Sequence, residues 1–386
     1  MSKLREPNLL ILLAVIVFAV TGGSLVGPIL PAMMNLNGAT SKNIGLALSA
    51  YTFSAMVATP LLGAVADRFG RKRVIVPAAI LFGVGGLLIT FTRSFWLVLV
   101  WRALQGIGVG GMLNTVVAAI GDMYTEPDRS RVMGWRVMVQ GLTNATIPFI
   151  SGTLAILAWF LPFYIHSAAI LLGILAAFKL EEPAGMFKTQ GYMVKALRSI
   201  GNTRAIWLFF SNFIGFVLLY NIVVYMPMLV VKQFNMTTLY SGLAITAAAG
   251  ISALTASQAG RLSDISEVIR IMWGFFCCGL SLLLVGLCGS YPLLLLFMGV
   301  WGLGFGVMMP TLNSAAAGLV SAELRAGVLS VFTLLMYLGQ TVSPPFFALF
   351  VEGMDIRGAF FAGGALSLVP MFFTLYMGLR VNRLQG

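Results

Sequence analysis

Gly63-Ala64-Val65-Ala66-Asp67-Arg68-Phe69-Gly70-Arg71-Lys72-Arg73 stands between two apolar runs, 43–66 and 74–92, each long enough to cross a bilayer. Four cations and one acid crowded into eleven residues mark a short loop held at one membrane face. Gly63 permits close helix approach, Gly70 permits a tight turn, and Asp67 is a fixed anion at that face.

Working outward from this loop, apolar runs recur along the whole chain. Spans are expected near 8–31, 43–66, 74–92, 95–120, 132–155, 160–179, 205–229, 238–260, 270–289, 292–318, 327–350 and 357–379. Hydrophobic residues fill 59% of the 386 positions and charged residues only 9%. Soluble domains carry about 25% charged residues, so a water-facing surface cannot be assembled here. The first run follows Lys3 and Arg5 but is long enough to span and lacks a clean cleavage site, so it is expected as a retained helix. Cys277, Cys278 and Cys288 share one apolar stretch and are expected as packed thiols rather than a disulfide framework.

The net charge of +12 is distributed as a topology signal. With the N-terminus inside, 19 of the 24 basic residues fall at inner ends and loops, four fall outside (Lys42, Arg93, Lys232, Arg357), and one, Arg102, lies well inside a span. Cations that bind nucleic acid cluster on a soluble face, and these punctuate apolar runs instead, so no nucleic-acid partner is expected. Both termini are expected in the cytoplasm.

The longest polar segment, 181–204, divides the spans six and six, giving an N-terminal half at 1–180, a cytoplasmic linker at 181–204 and a C-terminal half at 205–386. A short surface helix is expected within the linker, around Met193 to Ile200. Four unlike landmarks recur at nearly one offset: Gly63/Asp67 with Gly260/Asp264 at 197, then Gly106/Gly108/Gly110 with Gly302/Gly304/Gly306, Arg129 with Arg325, and Pro148 with Pro344, each at 196. The second half therefore reads as a duplicate of the first. Parallel repeats of this kind place a substrate site between the halves, with rocking of one half on the other.

These residues resemble the major facilitator superfamily over essentially the whole chain. The loop from Gly63 to Arg73 is similar to that family's loop signature. The resemblance implies a latch built from Gly63, Asp67, Arg68, Gly70 and Arg71. In it Asp67 faces the positive N-terminal end of the eleventh helix, near Gly327, while Arg71 pairs with an acid at the inner end of the fourth helix, here Asp122. The bland reading is a basic loop that only sets topology. The echo at Gly260 and Asp264 is degenerate, because Val268 stands where Arg71 would repeat.

Arg102-Ala103-Leu104-Gln105-Gly106-Ile107-Gly108-Val109-Gly110-Gly111 resembles the family's arginine–glycine motif. Arg102 lies about 10 Å into its span, where a charge is expensive and function is the default reading. Snorkelling to the outer headgroups is the alternative. The glycine-rich fifth-helix motif of drug antiporters is present only in part: Thr143 to Gly152 keeps Pro148 and Gly152 and loses the other glycines. Pro148 is expected to kink the fifth helix, and Pro344 and Pro345 the eleventh. His166, the only histidine, lies beside Trp159, Phe160, Phe163 and Tyr164. It reads either as a sensor of outside protons or as an aromatic-belt anchor. Arg102 and His166 are the candidates for coupling or substrate contact.

Every acid falls at a membrane face, so cavity polarity must come from neutral groups. On the helices that line the cavity in relatives these are Gln105, Asn114, Gln140, Asn144, Asn212, Tyr220, Asn221, Tyr225, Asn313, Tyr337 and Gln340. Any single one of them is equally readable as interhelical glue. One histidine and no acid cluster exclude a metal site, and no cofactor is implied. A membrane enzyme would need a nucleophile–base or metal constellation at one depth, and a receptor would need a sizeable soluble domain. Neither pattern is present.

The expectation is an all-α integral membrane protein with the major facilitator fold, twelve transmembrane helices in two six-helix repeats. It is not an enzyme. It is expected to act as an alternating-access exporter of lipophilic neutral or anionic small molecules, working as a monomer in a bacterial cytoplasmic membrane. Proton coupling stays open. The rival is a carrier of an anionic metabolite or lipid-like amphiphile in either direction, or an uncoupled facilitator.

Overall fold

The computed structural model describes residues 7–182, 203–262, 264–321 and 324–385. Among them there is no β-strand, only an isolated bridge between Asn37 and Ser94. The first six helices are α1 (Pro7–Met33), α2 (Leu46–Phe69), α3 (Lys72–Thr90), α4 (Phe95–Met123), α5 (Asp128–Leu157) and α6 (Phe163–Lys179). The remaining five are α7 (Thr203–Lys232), α8 (Thr238–Ser257), α9 (Glu267–Leu287), α10 (Tyr291–Ala317) and α11 (Arg325–Gln385).

Eleven helices among the described residues stand against twelve expected spans because the last two run together. α11 has 61 residues, about 90 Å at 1.5 Å per residue, or about three times the hydrocarbon thickness of a bilayer. Its backbone leaves the helical region at Met354 (φ −133°, ψ 17°) and at Asp355 (φ 58°, ψ −171°). The resulting bend separates two arms, 325–353 and 356–385; both meet α7, and the second also packs on α9.

Among the described residues nine helices, α11 counted once, are long and apolar enough to cross a membrane, and α6 is a shorter apolar helix. α5 falls short because Arg129, Arg131, Arg136, Gln140 and Asn144 make its first half polar.

The chain separates into two compact units, Met1–Gln190 and Gly191–Gly386. Most of the expected linker, including the surface helix around Met193 to Ile200, lies outside the described residues.

In the first unit α4 is the central element, packed on α2 and α3, while α3 packs on α6 and α1 on α5. The glycines of α4 explain this. A Cβ at Gly108 would stand 2.7 Å from the Ala78 carbonyl oxygen of α3, and one at Gly110 2.9 Å from Ala58 Cβ of α2. Only glycine lets these backbones meet.

The second unit repeats the arrangement. A Cβ at Gly304 would lie 2.8 Å from the Gly274 carbonyl of α9, and one at Gly302 2.7 Å from the Ala248 carbonyl of α8. Each unit also carries a buried serine clip between its equivalent helices, about one turn out of register with the glycine offset. Ser151 Oγ of α5 donates to Leu25 O of α1 at 2.7 Å, and Ser343 Oγ of α11 donates to Val217 O of α7 at 2.6 Å. The partners are 126 residues apart in both cases.

Overpacking a tight contact costs about 1–3 kcal/mol. Gly108→Ala and Gly304→Ala are each expected to lower the melting temperature of the purified protein by several degrees. Gly121→Ala, where an added Cβ meets nothing within 4 Å, is expected to leave it unchanged. Equal melting temperatures for all three would remove the packing role assigned to the repeated glycines.

Candidate functional site

The loop between α2 and α3 is closed by Gly70, whose φ of 113° is open to glycine and strained for other residues. Its N–H donates to Ala66 O at 3.0 Å and ends α2. A Cβ here would also strike the Glu182 carboxylate, 2.7 Å away. That carboxylate accepts from the backbone N–H groups of Arg71 and Lys72, capping the N-terminus of α3. Beside it, Glu181 exchanges hydrogen bonds with Asn8: Asn8 Nδ2 donates to Glu181 Oε2 at 3.1 Å, and Glu181 N donates to Asn8 Oδ1 at 3.0 Å. The two acids that follow α6 thus fasten it to the starts of α1 and α3.

Arg71 forms the ionic centre of this face. Its Nη1 pairs with Asp67, one helical turn back, and its Nε donates to Asp122 Oδ2 at 3.0 Å at the inner end of α4. Burial opposes the Arg71 charge, but the hydrogen bonds and attraction from Asp122 and Asp67 outweigh it and raise its pKa above the ordinary value. Asp67 keeps 45% of its side chain exposed, so one oxygen is available beyond Arg71. Arg68 lies over the Phe69 ring at 5.2 Å. Gly63, with no atom within 4 Å of an added Cβ, makes no close contact within this arrangement.

Deep in the first unit, Arg102 is fully buried. Nε donates to Ala47 O of α2 at 3.0 Å, Nη2 to Gly22 O of α1 at 2.8 Å, and Nη1 to Gln105 Oε1 one turn along α4 at 2.8 Å. The guanidinium carbon sits 4.2 Å from the centre of the Tyr51 ring. Because Gln105 turns its oxygen to Arg102, its amide nitrogen faces His166 Nδ1 at 2.9 Å. His166 is itself fully buried, between the rings of Phe82 (4.8 Å) and Phe163 (5.6 Å). It therefore sits inside the bundle rather than in an interfacial belt, and Arg102 does not reach the headgroups. Together these side chains tie α1, α2, α4 and α6 around one charge.

The second unit has no counterpart. At the offset set by the paired glycines, Met298 stands for Arg102 and Trp301 for Gln105, both buried. Its polar groups join helices instead. Asn212 Nδ2 donates to Phe332 O at 2.8 Å, Asn221 Nδ2 to Ala359 O at 2.7 Å, and the Tyr225 hydroxyl to Pro344 O at 2.7 Å. Tyr220, Tyr337 and Gln340 are also buried. Asn313 is exposed and donates to Met309 O on its own helix at 2.9 Å.

In the first unit Asn114 is half-buried, Asn144 is exposed, and Gln140 accepts from Arg136 at 3.2 Å. Helix continues through Pro148, Pro344 and Pro345. Each of these prolines removes a backbone donor and leaves the carbonyl four residues earlier without its helical partner. Sequence reasoning passed over Glu182 and Tyr51. The first carried a usable signal, since two acids directly after α6 stand next to a cationic loop, whereas the second did not.

Among known proteins, the Major Facilitator Superfamily profile matches residues 12–344 and 208–383. The chain is 23% identical to the bacillibactin exporter of Bacillus subtilis strain 168 over 388 aligned residues, covering 96% of each. It is 30% identical to multidrug resistance protein 1 of the same strain over 182 residues, 46% of each. Against the quinolone resistance protein NorA of Staphylococcus aureus strain N315 it is 29% identical over 155 residues, 40% of this chain and 39% of NorA. Among solved structures, a bacterial homologue of the human lysosomal transporter Spinster superposes with a TM-score of 0.84 at 14% identity, covering 96% of this chain and 97% of that one. The nucleoside transporter NupG gives 0.80 at 16% identity, with 96% and 98% covered. At these identities the structural likeness speaks to fold.

Arg102→Ala removes three charge-assisted hydrogen bonds and a cation–π contact and leaves a void, a loss of about 2–5 kcal/mol. It is expected to lower the melting temperature well below that of Asn114→Ala. Equal stability of the two variants would mean that the Arg102 cluster does not hold the unit together.

Proposed function

The chain belongs to the major facilitator superfamily and is a multi-pass membrane transporter, and from that premise we propose that it exports lipophilic neutral or anionic small molecules by alternating access. The supporting observation is the placement of its acids. All ten acids among the described residues lie in loops, in the first or last turn of a helix, or at the bend of α11. A permanent cation entering a low-dielectric cavity loses hydration worth several kcal/mol and finds no fixed anion to offset that loss. Aromatic faces return about 0.5–2 kcal/mol per contact. Neutral and anionic amphiphiles carry no such deficit.

In this reading each unit moves as a body, made stiff by its glycine-mediated contacts. Asp67 uses its remaining exposed oxygen to hold the start of the first arm of α11, near Gly327, in the outward-open state. Both termini lie in the cytoplasm, the working unit is a monomer, and no nucleic acid takes part. The likeness to an exporter of bacillibactin and to drug-resistance proteins supports export as the direction. Proton coupling, where it occurs, falls to His166, to a rim acid such as Asp122 or to the substrate itself. Arg102 carries no proton in transit, since a guanidinium does not deprotonate in the working range.

Reconstituted transporter given matched cationic, neutral and anionic lipophilic dyes, with and without an imposed proton gradient, is expected to move the neutral and anionic members. Preferential transport of quaternary cations would contradict the proposal. Separately, Asp67→Asn is expected to cut transport about tenfold or more at unchanged expression, because the latch loses its charge. Wild-type rates in that variant would reduce the loop to a topology signal.

A further inference from the structure

α5 carries a second arginine that the first unit partly buries. Arg136 lies eight residues past the start of the helix, about 12 Å along its axis. It is half-buried, its Nε is shielded from solvent with no hydrogen-bond partner, and its Nη2 donates to Gln140 Oε1, one turn deeper, at 3.2 Å. Among the described residues the ion pairs are Arg71 with Asp67 and Asp122, and Arg204 with Glu267, so Arg136 has no carboxylate. The contrast with Arg102 is direct. Arg102 has its charge met by two carbonyls, an amide oxygen and a ring. Arg136 has an amide oxygen and an unmet donor.

The helix also fixes which way Arg136 faces. Arg136, Gln140 and Asn144 follow one another at four-residue spacing and form a polar stripe. The stripe shares the side of α5 that carries buried Thr143, Ile147 and Ser151, the last of which is clipped to α1. The opposite side is apolar and open, with Met138 and Leu142 each 62% exposed and Phe149 41% exposed. The cation is thus turned away from the side of α5 suited to lipid tails. A charge held in that setting is costly unless an opposite charge arrives. A planar guanidinium with free N–H groups matches an oxyanion in two-point geometry.

We infer that Arg136 is a specificity-determining residue of the first unit, receiving the carboxylate or equivalent oxyanion of an amphiphilic substrate, with Gln140 orienting the guanidinium. The inference rests on the proposed export of neutral and anionic molecules and adds the group that reads the anionic class. Recognition of neutral substrates does not pass through Arg136, so removing it separates the two classes.

The test compares dansylglycine, a lipophilic carboxylate, with its uncharged methyl ester. Both are titrated by fluorescence against the full-length transporter in vesicles of phosphatidylcholine alone. Arg136→Gln is expected to weaken dansylglycine binding at least tenfold and to leave the ester within twofold, which also reports that the variant is folded. Arg136→Lys is expected to recover part of the loss, because it returns the charge without the planar fork. Should Arg136→Gln fail to assemble, Gln140→Leu serves in its place, with an expected several-fold loss for the carboxylate only.

Equal weakening of both probes would make Arg136 a structural residue and overturn the inference. So would carboxylate binding unaffected by Arg136→Gln, or an ester that binds where the carboxylate does not. Competition by added phosphatidylglycerol that disappears in Arg136→Gln would assign the site to a lipid headgroup and likewise overturn it. If the wild type binds neither probe, the proposed substrate class fails along with this site, whereas every other negative result leaves that class standing.

Discussion

A guanidinium placed in the apolar interior of a membrane protein must find its hydrogen bonds within the protein, because no water is there to supply them. Arg102 meets that constraint completely. Its donors reach the Gly22 and Ala47 carbonyls and Gln105, and its face lies on Tyr51. To do so it draws on α1, α2 and α4 at once, and Gln105 extends the network to His166 on α6. Four helices of the first unit therefore converge on one charge. The glycines that follow Arg102 on α4 bring α2 and α3 close enough for that convergence.

The second unit reaches the same architecture without the charge. It keeps the close contacts at Gly302 and Gly304, but Met298 and Trp301 occupy the positions of Arg102 and Gln105. Duplication has thus preserved what packs, whereas the polar chemistry has diverged. The same holds for the inner loops. Arg71 binds Asp67 and Asp122 in the first unit, while Val268 stands at the matching position of the second and the ion pair there, among the described residues, is Arg204 with Glu267, at 2.7 Å.

Much of the fold was legible because it rests on patterns that survive without side-chain detail. Apolar run length gave the helices, and the offset glycines gave the repeat. The gap expected between the last two spans, 350–357, holds the bend at Met354 and Asp355, but only those two residues depart from helical geometry, so the spans run on as α11.

The roles of the two arginines depend on neighbours distant in sequence. Depth alone made Arg102 the candidate for substrate contact, yet its partners at Gly22 and Ala47 are backbone carbonyls, which no side-chain pattern announces. In the sequence Arg136 stands with the inner-end cations. Its bond to Gln140 is local to α5, but the shielding of its Nε belongs to the folded unit. The most direct measurement is a structure of the transporter with an anionic substrate bound. The account predicts the oxyanion within hydrogen-bond distance of Arg136 while Arg102 stays on the Gly22 and Ala47 carbonyls. A substrate oxyanion held by Arg102, released from those carbonyls, would contradict it.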